Sequence, residues 1–165
     1  MRIVLIGPMG SGKSSIGKIL AKKINLKFID TDKLIEIQEG KKIKEIFNSK
    51  GESYFRDLEV KVLEETLTTQ SAVVATGGGI VQREKNRFLL ENEKNVFFLN
   101  SSIKRQFDRT KDSDKRPLLN KGDNFKTLTE LYKKRLPHYE NVSRYKIEMD
   151  DRTNEEILDQ IIKNI

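Results

Sequence analysis

Apolar residues along the chain form short unbroken runs, such as IVLI, AVVA and VFFL, separated by longer segments with helical spacing of apolar and charged positions. Continuous apolar runs are typical of parallel strands that are covered on both faces of a sheet. We therefore predict five strands, at residues 2–6, 27–30, 72–75, 96–99 and 145–149. Because a helical segment follows each strand, the pattern predicts a three-layer α/β fold with a doubly wound parallel sheet.

The helical segments are predicted at residues 13–24, 33–38, 42–49, 52–68, 82–91, 102–109, 125–141 and 154–162. Two stretches interrupt the regular alternation. Residues 31–68 are mostly helical and too long for a simple crossover, which indicates an inserted helical region. Residues 110–124 are polar and rich in turn-forming residues, which is typical of a lid. No repeat or linker is visible, so we predict one domain over residues 1–165.

The segment GPMGSGKS follows the first predicted strand and has the spacing G-x-x-x-x-G-K-[ST]. Glycines at these positions let consecutive backbone N–H groups point at one anion, and the helix that follows adds the positive end of its dipole. Lys13 would reach the outer phosphates of a nucleotide, and the Ser14 hydroxyl would bind Mg²⁺. A plain glycine-rich turn is the alternative, and the strand before it and the helix after it favour phosphate binding.

Charge and composition narrow the class of protein. The chain has 165 residues, a formal net charge of +7 and no cysteine, which excludes disulfides, thiolate metal sites and cysteine nucleophiles. The lysines are scattered and often stand beside glutamates, a pattern typical of solvated helix faces rather than of a nucleic-acid surface. The first predicted strand begins at residue 2 and no apolar run approaches the length of a membrane span. We therefore expect a cytoplasmic protein without nucleic-acid or membrane partners.

Two acidic residues mark the end of the second predicted strand. In open α/β sheets, ligands bind at the carboxyl ends of the strands, which is where Asp30 and Asp32 lie. Asp30 is placed to hold Mg²⁺ through water, and Asp32 to accept a hydrogen bond from a substrate hydroxyl. Asp32 could equally be the N-cap of the helix predicted to begin at Lys33.

Further candidates follow the other strands. Gly77, Gly78 and Gly79 succeed the third strand and would let the backbone approach a ligand closely. Planar guanidinium groups suit phosphate and carboxylate, so we single out the arginines that flank these segments, although a lone helical arginine such as Arg56 is often a surface residue. These candidates are Arg56, Arg109, Arg116, Arg135 and Arg152. The single histidine, His138, is predicted to be an exposed turn residue rather than a catalytic one.

In this order and spacing, the segments resemble those of shikimate kinases over nearly the whole chain. The shared segments are GPMGSGKS, FIDTD at 28–32, YFRDLE around Arg56, TGGG at 76–79, RPLL at 116–119 and RLPHY at 135–139. The resemblance implies a P-loop fold of the nucleoside monophosphate kinase-like branch, with a five-stranded parallel sheet in the order 2-3-1-4-5, and a monomer. It implies phosphorylation of the 3-hydroxyl of shikimate by MgATP, a step toward chorismate and the aromatic amino acids.

The same resemblance implies a role for each candidate residue. Arg56 and Arg135 would bind the substrate carboxylate, while Asp32 and the glycines Gly77, Gly78 and Gly79 would meet its hydroxyls. The ATP phosphates would be bound by Gly10, Ser11, Gly12, Lys13, Ser14 and Ser15, with Mg²⁺ held by Ser14 and, in its outer shell, by Asp30. Arg116 would reach the γ-phosphate with the lid, and Arg109 and Arg152 would flank the adenine. Lys13, Asp32 and Arg116 are thus the catalytic candidates.

Two other functions share the phosphate-binding loop. A related small-molecule kinase, such as a gluconate kinase or a nucleoside monophosphate kinase, would have the same loop, and gluconate also carries a carboxylate. A nucleotide-dependent basic binding module would need a contiguous basic stripe with stacking aromatic residues, which the sequence does not show. Arg56, the TGGG segment and Arg135 favour the kinase of a carboxylate substrate.

Overall fold

Five parallel strands form one sheet in the computed structural model, which describes residues 1–111 and 124–165. The strands are β1 (Arg2–Ile6), β2 (Lys27–Asp30), β3 (Ala72–Ala75), β4 (Val96–Asn100) and β5 (Tyr145–Glu148). Their order is β2-β3-β1-β4-β5, so the predicted fold class and strand order are confirmed. Because all the pairings are parallel, the carboxyl ends of the strands meet at one edge of the sheet.

The helices in the described part of the chain connect the strands and cover both faces of the sheet. They are α1 (Lys13–Lys23), α2 (Thr31–Glu39), α3 (Ile43–Leu67), α4 (Glu84–Glu91), α5 (Ile103–Thr110), α6 (Asn124–Val142) and α7 (Asn154–Lys163). A short 3-10 turn, Ile80–Gln82, precedes α4. None of these helices is both long enough and apolar enough to cross a bilayer.

The central strand β1 is buried on both faces, which explains its unbroken apolar sequence. Ile3 and Leu5 belong to the core beneath α1 and α7, and Val4 and Ile6 belong to the opposite core beneath α3, α4 and α6. Alternate residues of a strand point to opposite faces, so a strand between two helical layers needs apolar residues at every position. The rigid centre of the sheet thereby fixes the loop that leaves β1.

The predicted inserted region corresponds to α2 and α3, which pack together around a small core of their own. The helices predicted at 42–49 and 52–68 are two arms of α3 that meet at a kink. At the kink Gly51 has φ 83° and ψ 173°, a conformation that residues with a Cβ rarely adopt. The second arm carries Arg56, whose guanidinium group lies against Gly79 in the segment that follows β3.

Several predicted boundaries differ from the structure. The helix predicted to begin at Lys33 begins at Thr31, because Asp30 caps it. The helix predicted at 82–91 is shorter, since residues 80–82 form the 3-10 turn, and the fifth strand ends at Glu148.

His138 lies half-buried within α6, not in an exposed turn, because α6 continues through Pro137. The predicted lid lies almost entirely outside the described residues, as does Arg116.

Candidate active site

A cavity of about 290 Å³ opens at the edge where the strands end. It brings together the phosphate-binding loop after β1, the two acidic residues after β2 and the glycine segment after β3. The residues that line it are Gly10, Gly12, Lys13, Ser14, Ser15, Asp30, Asp32, Thr76, Gly78 and Arg109. Most of the candidates selected from sequence are therefore neighbours in space, although they come from four separate segments of the chain.

The loop between β1 and α1 is held in a shape that only glycines adopt without strain. Gly7, Gly10 and Gly12 have φ angles of 142°, 77° and 98°, and a Cβ on Gly7 would lie 2.5 Å from the Leu99 carbonyl oxygen. The helix α1 begins directly after Gly12, with no side-chain cap and no acidic residue in its first turn. Its first N–H groups therefore remain available for an anion.

Lys13 is almost completely buried and its ammonium group lies over the loop. The Nζ atom donates hydrogen bonds to the carbonyl oxygens of Gly7, at 2.9 Å, and Pro8, at 2.8 Å. These contacts hold the positive charge beside the helix N-terminus, where a phosphate group would bind.

Ser14 and Asp30 form a hydrogen-bonded pair of oxygen groups in the lining of the cavity. The Ser14 hydroxyl donates to Asp30 Oδ2 at 2.7 Å, and Asp30 Oδ1 accepts from the Lys33 backbone N–H at 3.2 Å. Asp30 is thus fixed from both sides. A hydroxyl and a carboxylate are hard oxygen donors of the kind that Mg²⁺ prefers, so this pair fits the metal that a nucleotide would bring.

Asp32 occupies the first turn of α2 rather than its N-cap. Asp30 is the capping residue, so the capping alternative for Asp32 is wrong. The carboxylate of Asp32 lies against the glycine segment: a Cβ on Gly77 would be 2.5 Å from Asp32 Oδ1. The backbone N–H of Gly77 also donates to the Thr31 hydroxyl, at 3.3 Å, which ties the start of α2 to this segment.

Arg56 is buried, and only 6% of it is exposed, so the interpretation of this residue as a surface arginine is wrong. Its guanidinium group donates to Glu52 Oε1 at 2.9 Å and to Glu59 Oε2 at 2.6 Å. Burial alone would lower the pKa of Arg56, but the charges of Glu59 and Glu52 outweigh burial and raise it. Arg56 therefore carries a fixed positive charge inside the protein.

Arg135 lies on α6 and is equally buried, with 3% exposed. Its Nη1 atom donates to the Gly78 carbonyl oxygen at 3.2 Å, and its Nε atom has no hydrogen-bond partner among the described residues. Burial lowers the pKa of Arg135, and the nearby charge of Arg56 lowers it further. A guanidinium group nevertheless stays protonated, so two positive charges are buried close together, as an anion-binding site requires.

Glu59 and Tyr139 complete this buried cluster, and neither was assigned a role from the sequence. Burial raises the pKa of Glu59 to about 7, with a further contribution from the charge of Asp32, while Arg56 opposes the shift. The Tyr139 hydroxyl donates to the Gly78 carbonyl oxygen, its ring stacks on Phe98, and burial raises its pKa to about 12. The spacing of Glu59 three residues after Arg56, beside the apolar Leu58, was the available sequence signal for the ion pair.

The remaining arginine candidates lie in different places. Arg109 lines the cavity beside Gly12, where a Cβ would be 2.9 Å from Arg109 Nη1. Arg152 is exposed between β5 and α7 and is not among the residues that line the cavity. Arg116 belongs to the segment outside the described residues.

Comparison with known proteins identifies one family. The shikimate kinase family model matches residues 9–165. Shikimate kinases from Sulfurihydrogenibium sp. and Persephonella marina are each 42% identical over 163 residues, which cover 99% of this chain and 96% and 98% of the relatives. A solved shikimate kinase from Acinetobacter baumannii, in complex with shikimate, has a TM-score of 0.95 and 35% identity, and covers 98% of this chain and 90% of that one.

A gluconokinase from Sinorhizobium meliloti also matches in structure, with a TM-score of 0.55. The match covers 99% of this chain and 90% of the gluconokinase chain, but only 18% of the residues are identical. This likeness shows a shared fold alone, and the gluconate kinase alternative is not favoured.

Proposed function

The chain belongs to the shikimate kinase family, and we propose that it transfers the γ-phosphoryl group of ATP to the 3-hydroxyl group of shikimate, giving shikimate 3-phosphate and ADP. This reaction leads toward chorismate and the aromatic amino acids. One structural observation carries the proposal. The glycine segment after β3 joins a phosphate-binding loop to a buried pair of arginines.

Gly78 is the point of contact between the two halves of the site. On one side, a Cβ on Gly78 would lie 3.0 Å from the backbone N of Met9 in the phosphate-binding loop. On the other side, its carbonyl oxygen accepts from Arg135 and from Tyr139. A substrate carboxylate at the arginines and a phosphate at the loop would therefore be brought to neighbouring positions.

On the acceptor side, Arg56 and Arg135 would bind the carboxylate of shikimate. Guanidinium groups bind carboxylates through paired hydrogen bonds, and their low exposure strengthens the attraction. Asp32 and the Gly78 N–H would meet the ring hydroxyls, with Gly77 and Gly79 leaving room for a close approach. This arrangement would turn one hydroxyl toward the loop.

On the donor side, the backbone from Gly10 to Ser15 and the Lys13 ammonium would bind the ATP phosphates. Ser14 would hold Mg²⁺, with Asp30 in its outer shell. When bound, the metal ion would neutralise charge on the β- and γ-phosphates. Arg116 would add a positive charge at the γ-phosphate, and Arg109 and Arg152 would flank the adenine.

The chemistry needs alignment and charge neutralisation rather than a covalent intermediate. The 3-hydroxyl oxygen forms a bond to the γ-phosphorus while the bond between that phosphorus and the bridging β–γ oxygen breaks. Lys13 and Arg116 stabilise the negative charge spread over the transferring group. Asp32 takes the hydroxyl proton as the new bond forms, and ADP leaves. Closure of the lid would exclude water and limit hydrolysis of ATP.

The enzyme is further proposed to act as a monomer in the cytoplasm on these two small molecules, without nucleic-acid or membrane partners. A coupled assay of ADP release with MgATP, offering shikimate, gluconate and AMP separately, tests the function. Turnover with shikimate alone is expected. Turnover with gluconate or AMP instead would overturn the roles of Arg56 and Arg135, and no turnover with any acceptor would favour a basic binding module.

A further inference from the structure

Gln82 lies between the two buried arginines at the end of the 3-10 turn. With its amide oxygen turned toward them, Gln82 accepts hydrogen bonds from Arg56 Nη2, at 3.0 Å, and from Arg135 Nη2, at 2.7 Å. The orientation of an amide is assigned from its hydrogen-bond network. Here the opposite orientation would point an NH₂ group at two further donors, so the oxygen must face the arginines.

The backbone of Gln82 is itself fixed in place. Its N–H donates to the Gly79 carbonyl oxygen at 2.9 Å, and its own carbonyl oxygen accepts from Arg87 Nη1 at 3.0 Å. Arg87 also donates to the Val81 carbonyl oxygen at 2.9 Å. The amide that joins the arginines is therefore anchored both to the glycine segment and to α4.

The chemistry of an amide suits this position. Two guanidinium groups repel each other, and neither can accept a hydrogen bond from the other. A neutral oxygen between them satisfies one donor of each without cancelling their charge. A carboxylate in the same place would form ion pairs with both and would compete with an incoming anion.

We propose that Gln82 is a positioning residue for the acceptor site, which rests on the function proposed above. Its amide oxygen sets the spacing of Arg56 and Arg135 without adding to the negative charge that Glu52 and Glu59 already bring to Arg56, so positive charge remains for the substrate carboxylate. Arg135 Nε, buried and without a partner among the described residues, is left as a donor for that carboxylate. Gln82 thereby determines affinity for the acid substrate and takes no part in binding ATP.

Replacement of Gln82 by leucine and by glutamate tests the proposal through steady-state kinetics, calorimetric titration with shikimate and thermal unfolding. Gln82→Leu removes the acceptor at similar size, so KM for shikimate should rise about tenfold because two buried donors lose their partner. The kcat and the KM for MgATP should stay within about twofold of the wild type. Gln70→Leu, at an exposed position, is the matched control and should change none of these values.

Gln82→Glu separates positioning from a merely structural role. Its carboxylate would pair with both arginines, so the melting temperature should rise while affinity for shikimate falls. If Gln82 were purely structural, its replacement would change the melting temperature and the affinity for shikimate in the same direction. Unchanged shikimate affinity in Gln82→Leu, or an equal loss of affinity for MgATP and for shikimate, would overturn this inference and leave the proposed function standing. A wild-type protein that neither binds nor phosphorylates shikimate would overturn the proposed function and this inference with it.

Discussion

Gly79 and Arg56 are packed so closely that a methyl group on Gly79 would overlap the Nη1 and Cζ atoms of the guanidinium group. The guanidinium cannot move away freely because it forms ion pairs with Glu52 and Glu59. The third glycine of the segment after β3 is thus required by the arginine rather than by its own backbone, which has an ordinary φ of −95°.

Gly79→Ala should therefore disable the acceptor site while leaving the donor site intact. We expect KM for shikimate to rise at least about tenfold, since the guanidinium must leave its position. The affinity for ADP, measured by calorimetry, should be unchanged. Gly40→Ala is the control, because its Cβ would meet no atom within 4 Å although the backbone there has φ +63°. It should lower stability and spare both affinities, and a normal shikimate KM in Gly79→Ala would contradict the prediction.

Arg135→Ala should weaken binding of the acid substrate. Removal of one partner of a buried charge pair costs about 2 kcal/mol or more, which corresponds to about a 30-fold rise in KM for shikimate. Lys134→Ala changes a neighbouring exposed cation on the same helix and should have little effect. An unchanged KM in Arg135→Ala, measured in the same ADP-release assay, would remove this residue from the site.

Lys13→Ala should affect turnover far more than binding of shikimate. The ammonium is proposed to act where negative charge is transferred, so its loss should lower kcat about a hundredfold or more. Calorimetry should still detect shikimate binding of normal affinity. The matched control is Lys18→Ala, an exposed lysine of α1. Loss of shikimate affinity together with normal turnover would refute this assignment.

Glu59 should make stability depend on pH in an identifiable window. Its pKa is raised from 4.5 to about 7 in the folded chain, so the folded state binds the proton more tightly than the unfolded state does. The contribution of Glu59 to the free energy of unfolding should therefore fall as pH rises from about 4.5 to 7. Thermal unfolding of the wild type and of Glu59→Gln across this range measures it. The free energy of unfolding of the wild type should fall relative to that of Glu59→Gln as pH rises. A constant difference between the two proteins would contradict the raised pKa.

Much of the fold was predictable because its signals are local. The strands β1, β3 and β4 are covered on both faces, so their sequences are apolar at every buried position, and the phosphate-binding loop is defined by glycine spacing. The start of α2 was misplaced because Asp30 and Asp32 are equally good N-caps in sequence. In the structure β2 ends at Asp30 and α2 begins at the next residue, so Asp30 is the cap.

The deeper part of the site was less visible for a physical reason. Glu59 and Arg56 have the spacing of an exposed ion pair on a helix, yet both side chains are buried in the folded protein. Gln82 looked like the beginning of a helix, although it ends a 3-10 turn. The roles of such residues depend on partners that are distant in the chain, as with Arg135 on α6, and no local pattern specifies those partners.

Arg56 lies on α3 and Arg135 lies on α6, and this placement links substrate binding to the stability of the folded enzyme. A carboxylate held by both side chains would act as a reversible cross-link between segments far apart in the chain. An unfolded chain cannot present both arginines together, so the acid would bind the native state only and shift the unfolding equilibrium in its favour. The bound substrate would then stabilise the folded state as well as react, and the protein would resist heat and proteases best when its substrate is abundant.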